Sequence, residues 1–154
     1  MAKTKSSGAI KQGLPMIVSA KKWQASSLIE IPEDRKVSEA RDMLLAGFIE
    51  KSEDGNSVIF NKRVIEHWEK DEGYDDKQIN GRLAKIEMAR SAVKRPREVW
   101  DQGKQKAFIQ GFVKPQGGKL GVVVFVRKSD KTAITYFPKS IGGLDKVRKG
   151  TRIK

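Results

Sequence analysis

Apolar residues recur along this chain with two periods, and the change from one to the other divides it. In the first part the spacing is helical. Ala40, Met43, Leu44 and Phe48 follow Ser38, a residue suited to an N-cap, and Gly47 stands near the stop, so a short helix is predicted there. Phe48 to Glu50 and Val58 to Phe60 flank Glu53-Asp54-Gly55-Asn56, whose Asp-Gly pair supplies the positive φ of a tight turn. That reads as a hairpin. A second short helix is predicted from Lys62 to Lys70, carrying Val64, Ile65, His67 and Trp68. After the acidic stretch Asp71 to Asp76, Ile79, Leu83, Ile86, Ala89 and Val93 line one helical face until Pro96 ends the run. Arg90 falls inside this stripe and Arg82 on its flank. A cation turned toward the buried side needs a partner, either a structural ion pair or a bound phosphate.

From Glu98 onward the period shortens to two. Glu98 to Asp101, Lys106 to Lys114, Lys119 to Arg127 and Thr132 to Phe137 are rich in β-branched and aromatic residues and are separated by turn residues, so they read as an antiparallel sheet. Leu120 to Val126 is apolar on both faces and is expected at the centre. In the strand beside it, Ala107, Ile109 and Val113 alternate with Lys106, Phe108, Gln110, Phe112 and Lys114. One face is expected to be core, and the other to interleave aromatics with cations. The fold class is therefore α+β, with N-terminal helices packed on a C-terminal antiparallel sheet of four strands.

The ends are less patterned. Met1 to Gly13 reads as a flexible basic arm, and Leu14 to Arg35 as an irregular extension, either an added strand or a wrap over the core. The expected division is 1–35 extension, 36–140 α+β domain, and 141–154 a loosely held basic tail.

Charge changes this picture. Met1 to Arg90 carries 16 Lys and Arg against 15 Asp and Glu, whereas Ser91 to Lys154 carries 16 against 4, so a net +12 of the chain's +13 lies in the second part. Such a field attracts a phosphate backbone through counterion release. A sheet face showing rings beside ammonium groups suits single-stranded RNA, which makes Lys106, Phe108, Phe112, Lys114, Arg127 and Tyr136 the candidate RNA contacts.

Composition also narrows the chemistry. Cysteine is absent, His67 is the lone histidine, and no H-x-x-x-H spacing occurs, so no metal or cofactor site is expected. No apolar run is long enough to cross a bilayer. RNA can be cleaved without a metal if its own 2′-hydroxyl attacks the phosphate, with one group taking the proton, another giving one, and cations holding the nonbridging oxygens. His67 is the residue type suited to proton transfer near neutrality.

His67 ahead of a long helix, Arg95-Pro96-Arg97-Glu98-Val99-Trp100, Phe108 to Lys114, the Val-rich strand and Ile134-Thr135-Tyr136-Phe137-Pro138 together resemble the BECR superfamily of metal-independent ribonucleases (barnase, EndoU, colicin and RelE types), in particular its phage-associated branch. The resemblance covers Asn61 to Ser140. It implies helices on a four-stranded antiparallel sheet with the site on the exposed sheet face. It also implies that His67 matches the family's helical histidine, Thr135 its last-strand hydroxyl, and one of Arg82, Lys85 or Arg90 its phosphate-binding cation. Phe112 stands where a Tyr is frequent, with Lys114 after it. Tyr136 offers a phenol from the neighbouring strand, although it alternates with Thr135 and shares a set with Ile134 that is the better core candidate.

The leading expectation is a toxin-type endoribonuclease yielding a 2′,3′-cyclic phosphate. The resemblance further implies a bacterial cytoplasm as the place of action, delivery by a phage particle or secretion system, and an acidic immunity partner. The alternatives are a basic nucleic-acid-binding protein without catalysis and a protein-binding inhibitor.

Overall fold

The computed structural model describes residues 18–154, so the Met1 to Gly13 arm lies outside the described residues. Helix α1 spans Val37–Ala46 and stops at Gly47, whose positive φ of 80° is one that glycine adopts without a steric cost. It begins one residue before the expected Ser38 cap. Strands β2 (Phe48–Lys51) and β3 (Ser57–Phe60) form the expected hairpin, closed through Gly55 at φ 92°. Helix α2 (Arg63–Glu66) runs straight into a π-helical turn, His67–Asp71.

The long helix is broken in two, α3 (Asp76–Ala84) and α4 (Ile86–Lys94), with Lys85 between them at φ −95° and ψ 15°. The break has a tertiary cause. The Ala84 carbonyl, which a continuous helix would offer to Met88, accepts from the Arg35 N–H at 3.0 Å, and Met88 N–H turns to the Lys85 carbonyl. Asp75 and Gln78 form a reciprocal capping box at the start of α3.

Strands β4 (Glu98–Asp101), β5 (Gln105–Val113), β6 (Lys119–Arg127) and β7 (Ala133–Lys139) make the expected antiparallel meander. The sheet is larger than the four strands expected. Strand β8 (Thr151–Arg152) pairs with β4, and β1 (Ile29–Glu30) runs parallel to the end of β5, giving six strands. The α+β class stands, with the helices on one side.

Both sheet faces are covered. On the helix side Phe108, Phe112, Val122, Val124 and Tyr136 pack beneath Ile79, Leu83, Ile86, Ala89 and Val93. On the other side Ala107, Ile109 and Val123 lie under Trp23, Leu28, Ile141 and Leu144. The expectation of an open face on which Phe108 and Phe112 show their rings beside lysines is therefore corrected: both rings are buried under the helices, and Phe108 reaches only the wall of a small cavity beside Lys106.

The tail expected to be loose is docked. A buried Arg148–Glu98 pair, with Trp100 Nε1 donating to the same carboxylate at 2.9 Å, ties it to β4. Two cross-strand glycines make room for this second layer. A Cβ on Gly121 would stand 2.5 Å from Leu144, and one on its partner Gly111 2.9 Å from Leu28.

Candidate functional site

The polar face of α2 and its π turn looks onto the β6–β7 end of the sheet. Trp68 fixes that approach. Its ring is fully buried, sits edge-on to Tyr136 at 5.1 Å, and donates from Nε1 to the Thr135 hydroxyl at 2.7 Å. With Trp68 held inward, its neighbour His67 is turned to the rim of a cavity of about 270 Å³. Arg63, Lys70, Arg127, Thr132 and Ile134 line the same cavity.

Within it, His67 is 23% exposed and its Nδ1 lies 2.9 Å from Asp71 Oδ2, so one ring nitrogen is oriented by a carboxylate. The other, Nε2, lies 3.6 Å from Glu72 Oε1. The π turn makes the Asp71 contact local: His67 O accepts from Glu72 N–H at 3.0 Å, widening the helix at this point. Across the cavity Arg63 bonds Asp130 at 2.8 Å, and Arg127 reaches the same carboxylate at 3.7 Å. Desolvation would raise the Asp130 carboxyl, but the Thr132 N–H and hydroxyl and then the two guanidiniums outweigh it and hold the pKa low. One carboxylate thus serves two guanidiniums. Lys70 makes no ion pair among the described residues.

The remaining candidates are distributed elsewhere. Thr135 is buried, and its hydroxyl accepts from Trp68. Arg82 donates to the Tyr136 carbonyl at 3.2 Å and to the Tyr74 hydroxyl at 2.8 Å, and lies over the Tyr74 ring. Arg90 pairs with Glu50 at 2.7 Å and with Glu87, and Lys85 with Asp34 at 2.8 Å. None of these three cations lines the His67 cavity. Tyr136 is fully buried and donates to the Arg82 carbonyl; burial pushes its phenol far above the usual value. Lys106 shares a second, smaller cavity with Arg127, Lys128 and Lys131. Lys114 sits at the opposite end of β5, in the turn where its carbonyl accepts from Gly117.

Arg63, Lys70, Asp71 and Thr132 were not singled out by the sequence. The signal for the first three was there, because positions 63, 67, 70 and 71 share one helical face opposite Val64, Ile65 and Trp68. Among the described residues no three His, Cys, Asp or Glu side chains are grouped so as to hold a metal ion.

Arranged this way, an oriented imidazole lines one cavity with three cations from two parts of the chain and with the carboxylates of Glu66 and Asp71, which is a combination able to bind a phosphodiester and move a proton beside it. No curated protein and no solved structure matches the chain significantly. A family profile does: that of the phage-Barnase-EndoU-ColicinE5/D-RelE like nuclease2 proteins, over residues 35–153. This match takes in α1, the β2–β3 hairpin and the docked tail as well as the segment from Asn61 to Ser140. The family is one of nuclease-like proteins whose substrate class is nucleic acid, and the chain belongs to it.

Proposed function

We propose that the protein is a metal-independent endoribonuclease of toxin type and that the His67 cavity is its active site. The single observation that carries this reading is the convergence of the lone histidine with Arg63, Lys70 and Arg127 on one cavity at the end of the sheet. In the reaction the 2′-hydroxyl loses its proton and its oxygen bonds to the adjacent phosphorus. The bond from phosphorus to the 5′-oxygen breaks, and that oxygen takes up a proton. The products are a 2′,3′-cyclic phosphate and a 5′-hydroxyl. His67, with Nδ1 held by Asp71, serves one proton transfer through Nε2. Arg63, Lys70 and Arg127 hold the nonbridging oxygens as negative charge builds on them. Thr135 and Arg82 act one step back, through Trp68 and through the β7 backbone that they bond.

Incubation with RNA in a metal chelator tests this directly. Discrete fragments ending in cyclic phosphate are expected, with a 2′-deoxy analogue left intact. His67→Ala should lower the single-turnover rate by about 10² to 10⁴ with no change in melting temperature. Wild-type rates in that variant remove His67 from the chemistry. RNA recovered intact from a tight complex makes the protein a nucleic-acid-binding module instead. The same reading places the target in a bacterial cytoplasm after phage or secretion-system delivery, with an acidic immunity protein covering the basic rim.

A further inference from the structure

A second opening adjoins the His67 cavity across a shared wall. It has a volume of about 460 Å³ and is lined by Lys104, Gln105, Lys128 and Ser129, while Arg127 and Ile134 line both it and the His67 cavity. Ile134 is in the wall because β7 bulges. Val126 pairs with Ala133 and Phe125 with Thr135, which leaves Ile134 without a partner in the ladder. Gln105 faces Arg127 across the β5–β6 pair. Its Nε2 donates to Gln102 Oε1 at 3.0 Å, and Gln102 is itself held by the Val147 and Lys149 carbonyls. The Gln105 amide is therefore fixed, with Oε1 lacking a partner among the described residues.

We propose that this opening is a subsite for one nucleotide next to the cleaved bond, received as an unpaired base splayed out of single-stranded RNA. The proposal rests on the ribonuclease reading of the neighbouring cavity. Wall chemistry favours a base over a phosphate here. A fixed amide oxygen accepts hydrogen bonds, so it meets a base N–H and repels a phosphate oxygen. Ile134 and the aliphatic stems of Lys104 and Lys128 offer apolar surface against which a base loses water. The ammonium group of Lys104, which makes no ion pair among the described residues, and the guanidinium of Arg127 stand at the rim for the flanking phosphates. The volume lies within the range of roughly 300–1,000 Å³ that holds small ligands. A base in a duplex has its pairing edge engaged and cannot enter, which makes the subsite selective for single strands.

Fluorescence anisotropy with a single-stranded 2′-fluoro RNA oligomer, which lacks the attacking hydroxyl, tests the subsite apart from catalysis. The intact strand is expected to bind about 10-fold more tightly than an abasic strand of equal length, the order of one good base contact, and likewise more tightly than a duplex. Gln105→Leu and Ile134→Ser should each reduce that advantage to within about 3-fold at unchanged melting temperature and unchanged salt slope. Equal binding of intact and abasic strands by the wild type, or an advantage that survives both substitutions, overturns the proposal. The two readings fail separately: base-dependent binding with no cleavage of ordinary RNA sinks the ribonuclease assignment, and cleavage with base-independent binding sinks the subsite.

Discussion

Two sets of cations on this molecule carry the same charge and do different things. Arg82, Lys85, Arg90 and Arg148 lie on or against the packed layers, and each finds its partner inside the protein: a carbonyl and a phenol for Arg82, carboxylates for the others. Arg63, Lys70, Lys104, Arg127 and Lys131 stand at the β6–β7 end, where Asp130 is shared by two of them and the three lysines make no ion pair among the described residues. Position along the chain does not separate the sets, since Arg148 belongs to the strongly basic second part and Arg63 to the near-neutral first part. What separates them is exposure: the first four are buried or half-buried, and the other five are exposed. A phosphate gains most from cations whose counter-charge is water or salt, because binding then releases ions rather than breaking a bridge.

The largest effect that can break this contrast comes from the inward set. Arg148 and Glu98 side chains are only 5% and 4% exposed, so Arg148→Ala leaves a buried carboxylate unpaired and should lower unfolding free energy in urea by about 3–5 kcal/mol. Replacing both, as Arg148→Met with Glu98→Leu, should recover most of that loss. If Arg148→Ala is silent, the buried Arg148–Glu98 pair is not structural.

The rim set predicts the converse. Arg127 is about half exposed and reaches Asp130 only at 3.7 Å, yet it lines three cavities at this end of the sheet. Arg127→Ala should reduce kcat/KM on RNA by about 10²-fold, the order of one lost oxyanion donor, while the melting curve stays in place. Lys85→Ala, which breaks an exposed pair with Asp34, should change neither activity nor stability by more than a small margin. A variant order reversed between Arg127 and Lys85 would return the phosphate site to the helices.

Acid sharpens the same comparison. Burial would raise the Asp145 carboxyl, but the Ala20 N–H, the Ser19 hydroxyl and Arg148 outweigh it and hold the pKa below 3.8. Because the folded value is depressed, the stabilisation is present above the unfolded value and lost as pH falls through the folded one. Urea midpoints should therefore decline below about pH 4, and Asp145→Asn should be less stable at neutral pH with a flatter acid limb. An unchanged acid limb in that variant assigns the decline to other carboxylates.

Much of the fold was legible because it depends on local periodicity. The four strands of the meander, the hairpin with its Asp-Gly turn and the Gly47 stop all follow from patterns within a dozen residues. What depended on distant partners was not. The Lys85 break is made by the Arg35 N–H, and nothing in Ile79 to Val93 signals it. Phe108 and Phe112 alternate with lysines, yet they lie on the helix face because the opposite face is claimed by Trp23, Leu28 and Leu144 across Gly111 and Gly121. The same limit governs the candidate site. His67 was visible as the only imidazole, whereas Arg63 and Lys70 had to be seen on its helical face, and Arg127 is joined to them by the packing of α2 against the end of β7 and by the shared Asp130 carboxylate.

A small effect at Lys131 is the most discriminating, because its two readouts move in opposite directions. Lys131 is the one non-glycine residue at positive φ among the described residues, at 61°, in the turn where its N–H donates to the Arg127 carbonyl at 2.9 Å and its own carbonyl receives the Ile59 N–H at 2.8 Å. A left-handed backbone there costs a β-carbon-bearing residue about 1 kcal/mol relative to glycine, partly offset by glycine's larger unfolded-state entropy. Lys131→Gly is thus expected to leave the melting temperature unchanged or slightly raised. The same change removes a rim ammonium that makes no ion pair among the described residues, so affinity for single-stranded RNA should fall modestly and the slope of log affinity against log salt should lessen by about 1. A turn selected only for its geometry would gain stability and keep its salt dependence.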